Sequence, residues 1–143
     1  MTRKRKAIDL SIVVPFYNEE DSAAELHRRL TAVLRKTRLR YEIIFVDDGS
    51  KDRTGEIADR LAAEHDKVRA VHNNPNLGYG GALQRGFREA TKEYVFYTDG
   101  DGQFDFQEIP KLLPLLKEYD IVSAYRIDRK DSLIRKLNAF AWT

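Results

Sequence analysis

Short apolar runs that alternate with stretches of helical spacing constrain this chain more than any other feature. The runs lie at residues 8–14, 41–46, 68–71, 94–98 and 121–124, and their β-branched and aromatic residues read as strands. Between them, residues 20–36 place Leu26, Leu30, Val33 and Leu34 on one face, and residues 54–64 do the same with Ile57, Ala58 and Leu61. Residues 79–91 form a third helical stretch, weakened by Gly80, Gly81 and Gly86. A fourth covers 107–117, with Pro110 tolerated in its first turn. Strands alternating with helices of this length require parallel crossovers. The expected fold is therefore α/β, a doubly wound and mainly parallel sheet with helices on both faces.

In such sheets ligands bind beyond the carboxyl ends of the strands, where strand order reverses. The polar clusters of this chain fall at those ends. Pro15-Phe16-Tyr17-Asn18 breaks the first strand, Asp47-Asp48-Gly49-Ser50 turns the chain after the second, and Asp99-Gly100-Asp101-Gly102-Gln103 follows the fourth. A strand order of 3-2-1-4 makes the three loops neighbours around one crevice. Asp-Gly pairs are common turn formers, so each cluster alone carries little weight. Their gathering on one edge is what points to a site.

Asp99, Asp101 and Gln103 offer hard oxygen ligands at alternate positions, which suits Mg²⁺ or Mn²⁺. Such an ion takes part of its shell from phosphates, so the expected substrate carries a diphosphate. A helix-loop-helix calcium site is excluded, because Pro110 stands where its twelfth-position Glu would be. The glycines from Gly78 to Gly81 read as a wall allowing close backbone approach. They lack the Gly-Lys-Ser/Thr ending of a P-loop, and no dinucleotide fingerprint follows the first strand.

Composition excludes further classes. The chain has no cysteine, hence neither disulfides nor thiolate metal sites. It shows no apolar stretch of transmembrane length and no signal-peptide core, so a cytoplasmic location is expected. The net charge of +2 hides an asymmetry: residues 7–125 carry 16 basic and 21 acidic groups, while both ends are basic. A basic tail at 1–7 and a basic amphipathic segment at 126–143, with Trp142 at head-group level, would favour a membrane surface. His27, His65 and His72 are assigned no role.

The runs Val13-Val14-Pro15-Phe16-Tyr17-Asn18-Glu19-Glu20, Val46-Asp47-Asp48-Gly49-Ser50-Lys51-Asp52-Arg53-Thr54, Asn76-Leu77-Gly78-Tyr79-Gly80-Gly81-Ala82 and Asp99-Gly100-Asp101-Gly102-Gln103 occur in this order. Together they resemble the family 2 glycosyltransferases, whose donor domain is of the GT-A type. Asp120-Ile121-Val122-Ser123-Ala124-Tyr125-Arg126 adds a likeness to enzymes that load a sugar onto a polyprenyl or dolichyl phosphate. Phe106 departs from the proline common among relatives.

The resemblance implies that Pro15, Tyr17 and Glu19 line the base and ribose of a UDP- or GDP-linked sugar, and that Asp48, with Asp47, hydrogen-bonds the base. It implies that Asp99, Asp101 and Gln103 hold the metal, with Asp99 also at the nucleotide and Asp101 as the catalytic carboxylate, and that transfer inverts the anomeric centre. Arg126 and Arg129, with Arg135 and Lys136, are the candidates for gripping an acceptor phosphate, since arginine engages phosphate oxygens in pairs. No nucleic-acid partner is expected. The whole chain, 1–143, reads as one donor-binding domain ending before an acceptor-binding half, and a nucleotide-sugar binding module without catalysis is the alternative.

Overall fold

The computed structural model describes residues 8–124. The described residues fall into two units that divide between Pro110 and Lys111. The first holds a four-stranded parallel sheet built from β1 (Asp9–Phe16), β2 (Arg40–Asp47), β3 (Val68–His72) and β4 (Tyr94–Tyr97), in the order β3-β2-β1-β4. Helices α1 (Ala23–Leu34), α2 (Thr54–Glu64) and α3 (Gly78–Glu89) connect the strands. The strand order expected from the sequence is the observed one.

β1 and β2 are central, and their apolar runs are buried nearly end to end. Register explains how the faces sort: Val13 pairs with Ile44, and Pro15 with Val46. Val13, Ile44 and Val46 pack with Val71 and with Ala82 of α3 on one face. The alternate residues Phe16 and Phe45 meet on the other, where the ring of His27 from α1 stands 6.1 Å from that of Phe45. Leu26, Leu30 and Leu34, buried along α1, each contribute about 2 kcal/mol.

The structure corrects the sequence reading at several points. Pro15 and Phe16 belong to β1 and do not break it. Backbone alternation explains this: the Val13 carbonyl accepts from Thr98 N–H, so the missing donor of Pro15 also faces β4, whose ladder ends at the Val13–Tyr97 pair. The stretch expected as one helix over 107–117 is a 3₁₀ turn at Phe106–Glu108, a single α turn, α4 (Ile109–Leu112), and a second 3₁₀ turn at Leu113–Lys117. Pro110 and Pro114 remove donors that a continuous α-helix would need.

Of the second unit, residues 111–124 are described. Residues 121–124 are not a strand, and Ile121 is 85% exposed. A short apolar run becomes a strand only where a ladder takes up its backbone groups, and the sheet of the described residues has four members.

Candidate active site

The carboxyl ends of the strands surround a cleft of about 640 Å³, located where the chain, having built β1, β2 and β3 in one direction, crosses over to β4. Pro15, Phe16, Tyr17 and Glu19 supply one wall, and Asp48 lies at the end of β2. Asn76 precedes α3, Gly78, Tyr79 and Ala82 come from its start, and Asp99, Gly100 and Asp101 from the loop after β4. Loops far apart in sequence thus meet around one space.

Hydrogen bonds lace the first two loops together. Asn18, at φ 55°, donates its N–H to Ser50 Oγ (2.9 Å), and its Oδ1 accepts from Lys51 N–H (2.8 Å). Glu19 N–H donates to Thr54 Oγ1 (2.7 Å) and Glu20 N–H to Asp52 Oδ2 (3.2 Å). The Glu19 carboxylate accepts from Ser22 Oγ at 2.7 Å. This leaves Tyr17 presented to the cleft with 46% of its surface exposed.

Asp47 and Asp48 are neighbours with different tasks. Asp48 is 3% exposed and lines the cleft, with Oδ1 accepting from Asn73 Nδ2 (2.8 Å) and Leu77 N–H (2.9 Å). Its carbonyl accepts from Asn76 Nδ2 at 2.6 Å. Asp47 turns away from the cleft lining. Its Oδ1 accepts from Ser50 N–H (3.1 Å), and its Oδ2 meets His72 Nδ1 at 3.0 Å. Gly55 leaves room for that contact, since a Cβ there would stand 2.8 Å from Asp47 Oδ2. His72 reaches Asp59 Oδ1 with its other nitrogen at 2.8 Å, so the ring bridges two carboxylates. The hydrogen bond to Asp47 is the chief cause raising the His72 pKa above its ordinary value, against partial burial.

The acidic loop is held by close packing. A Cβ on Gly100 would stand 2.6 Å from the Pro15 carbonyl oxygen, so only glycine lets the loop lie against β1 here. Asp99 Oδ1 accepts from the Tyr79 hydroxyl at 2.7 Å, and Asp101 Oδ1 accepts from Gln103 N–H at 2.9 Å. Burial, and then the Asp99 carboxylate, push the Tyr79 pKa up, so the phenol stays a donor at neutral pH.

The donor set fits a divalent cation in part. Asp99 and Asp101 both line the cleft and offer hard oxygens, whereas Gln103 is not part of its lining. Among the described residues, no group of three or more His, Asp or Glu side chains has the geometry of a metal site. Two carboxylates completed by diphosphate oxygens match how Mg²⁺ is ordinarily held. Arg126, Arg129, Arg135, Lys136 and the tail at 1–7 lie outside the described residues.

Several residues that shape the cleft were not singled out by sequence reading. Asn73 and Asn76 fix Asp48; Tyr79, at the start of the third helical stretch, meets Asp99; His72, given no role, holds Asp47. The run Asn73-Asn74-Pro75-Asn76 was the available signal, since asparagine side chains satisfy loop backbone.

Comparison with known proteins follows this geometry. A family model described as Glycosyl transferase family 2 matches residues 11–139. The undecaprenyl-phosphate 4-deoxy-4-formamido-L-arabinose transferase of Pectobacterium atrosepticum is 41% identical over 131 residues, covering 90% of this chain and 40% of that protein. The chain therefore spans about 40% of the length of such curated relatives. A mannosyltransferase from Pyrobaculum calidifontis, solved in complex with GDP-Man and Mn²⁺, is 28% identical with a TM-score of 0.52, covering 64% of this chain and 27% of that one. S. aureus TarS 1–349, solved with UDP-GlcNAc, superposes with a TM-score of 0.60 at 23% identity, covering 78% of this chain and 32% of that one, which shows the shared fold.

Proposed function

The chain belongs to glycosyl transferase family 2, and from that premise we propose that its cleft binds a nucleoside-diphosphate sugar for inverting transfer to a polyprenyl phosphate. The observation that carries the reading is the convergence of Tyr17, Glu19, Asp48, Asp99 and Asp101 on one cleft at the switch point of the sheet. The likeness to a transferase named for undecaprenyl phosphate supports the acceptor class, and the neighbour that holds GDP-Man and Mn²⁺ supports the donor class.

In this reading the base lies between Pro15 and Tyr17, where an aromatic edge gives apolar contact. Asp48 accepts from a ring N–H. Its Oδ1 is already engaged by Asn73 and Leu77, so its other oxygen is the one assigned to the ligand. Glu19 accepts from a ribose hydroxyl. Asp47 serves the base indirectly, by holding the turn that presents Asp48. Asp99 and Asp101 would hold Mg²⁺ or Mn²⁺, and Gln103 supports the loop beside them. When bound, the cation supplies Lewis-acid stabilisation of the charge that builds on the departing nucleoside diphosphate.

A lipid phosphate needs no dedicated base. Phosphate monoesters have a second pKa of about 6, so the attacking oxygen is anionic near neutral pH. Attack from the face opposite the leaving diphosphate inverts the anomeric carbon. Arg126 and Arg129 are assigned to the acceptor phosphate, and the basic ends to an anionic membrane face on the cytoplasmic side. No helix of the described residues is long and apolar enough to cross a membrane.

Calorimetry with UDP and GDP, each with and without Mn²⁺, tests the donor site. Metal-linked heat with one nucleotide is expected. Asp101→Asn should weaken that binding about tenfold or more while leaving the melting temperature near wild type, because the loop is exposed. Binding unchanged and stability lowered would make the loop a structural turn. Transfer is tested separately, by incubating sugar nucleotides with undecaprenyl phosphate and looking for the glycosylated lipid.

A further inference from the structure

The loop that carries Asp99 and Asp101 runs in strict alternation. Asp99, Asp101, Gln103 and Asp105 are exposed, and Gly100, Gly102, Phe104 and Phe106 between them are turned inward. The carbonyls of three inward residues are taken by side chains of a single helix face. Ser22, at the N-cap of α1, has its hydroxyl 3.1 Å from Gly100 O and shares its one proton between that carbonyl and the nearer Glu19 carboxylate at 2.7 Å. Arg29, seven residues and two turns further along, donates Nη1 to Gly102 O (2.5 Å) and Nη2 to Phe104 O (3.0 Å).

The guanidinium also lies over an aromatic ring. Its carbon lies 5.3 Å from the ring centroid of Phe106, a side chain only 2% exposed. Gly102, at φ 67°, takes a conformation that other residues rarely adopt, and Arg29 Nη1 would stand 3.5 Å from a Cβ there. The neighbouring Arg28 provides the contrast. It forks onto Glu25, three residues away on the exposed surface, as an ordinary helix arginine does. Arg29 instead directs its charged head to backbone carbonyls more than seventy positions away.

We propose that Arg29, with Ser22, is a positioning residue: the two form a rail along α1 that fixes the spacing of the Asp99 and Asp101 carboxylates at the mouth of the cleft. This rests on the reading of that cleft as the metal and diphosphate site. Arginine is required because its planar fork reaches two carbonyls at once while the cation sits over the Phe106 ring. The ammonium of lysine is a point charge and can do one of these tasks. Phe106, nearly fully buried, places its ring beneath the guanidinium. Small displacements matter here because a divalent ion tolerates little change in the placement of its ligands, and outer groups that orient ligands are typically worth ten- to a hundred-fold in metal affinity, about tenfold being expected here.

Two readouts on the full chain test this. Amide exchange followed by NMR reports the loop without metal: the Gln103 N–H, held by Asp101 Oδ1, should exchange faster in Arg29→Met, with the amides of β1 and β2 unchanged. Mn²⁺ binding in the presence of UDP or GDP, read by electron paramagnetic resonance, should weaken about tenfold in Arg29→Met and by a smaller factor in Arg29→Lys and Ser22→Ala. If Asp101→Asn weakens Mn²⁺ binding while Arg29→Met and Arg29→Lys match wild type in both readouts, the rail is refuted and the donor-site reading stands. If Asp101→Asn itself binds Mn²⁺ like wild type, the donor-site reading falls, and the rail falls with it. Should Arg29→Met not fold, Arg29→Lys and Ser22→Ala decide.

Discussion

His27 and His72 carry opposite pH signatures, and both were passed over in the sequence because a lone histidine on a helix or at a strand end has no distinguishing pattern. His27 is 5% exposed on α1, its ring 4.5 Å from that of His65, with no hydrogen-bond partner on Nε2 among the described residues. Burial, then the charges of His65 and Arg35, depress its pKa to about 4 against a weaker pull from Glu64. A base with a lowered folded pKa leaves the unfolded chain to take up the proton first. Stability is therefore full above about pH 6.5 and falls as pH drops toward 4, by about 2 kcal/mol at pH 5. Urea titrations at pH 7 and pH 5 should show this loss in wild type and a smaller one in His27→Leu. His72 behaves in reverse. Its raised pKa gives stability that is present below its unfolded value and lost as pH rises through the folded one. The stability gap between wild type and His72→Asn should accordingly narrow from pH 6 to pH 9, and a constant gap would show that the Asp47–His72–Asp59 bridge carries no net charge effect.

At the scale of elements, α3 is where local propensity and packing disagree. Its glycines weaken the helix signal, yet Gly86 is what lets α3 lie against β1, since a Cβ there would collide with Val13 and press on Val46 Cγ2. Gly86→Ala gains about 1 kcal/mol of helix propensity and meets overpacking worth about 1–3 kcal/mol. The net expectation is a loss of about 1 kcal/mol, read as a lower urea midpoint with an unchanged slope. Strand and helix order were legible because period-two and 3.6-residue patterns are written directly into residues 8–98. The extent of β1 was not, because whether Pro15 can stay in a strand depends on where β4 ends. The break-up of the stretch at 106–117 was half legible: Pro110 was allowed for, while Pro114 and the inward turn of Phe106 were given no weight.

Across the molecule the sheet separates two poles. The carboxyl ends hold the cleft, and near the amino end of β2 a buried polar knot ties the strands: Glu42 accepts from Ser11 Oγ (2.6 Å), Thr91 N–H (2.7 Å) and Thr91 Oγ1 (2.8 Å), with Arg69 at 3.4 Å. Burial works to raise the Glu42 pKa, and the bonds from Ser11, Thr91 and Arg69 outweigh it, so the carboxyl stays below its ordinary range. Its contribution to stability is present above the unfolded value and lost as pH falls through the folded one. Glu42→Ala should cost about 3 kcal/mol in chemical denaturation, by stranding the donors of Ser11 and Thr91 while Arg69 keeps Glu89, and leave nucleotide binding at the far pole unaltered. A parallel weakening of nucleotide binding would show that the poles are coupled.

The sequence by itself determined the alternation of strands and helices, and with it the parallel order and the edge on which the acidic loops collect, because periodicity and turn chemistry are local properties of the chain. Only the tertiary structure decided how those loops divide their work. Asp47 was drawn to His72 while Asp48 stayed at the cleft, Tyr79 came to rest on Asp99, and Arg29 closed on carbonyls of the loop after β4. Each of those outcomes is a competition among hydrogen-bonding partners that become neighbours only after the sheet has formed.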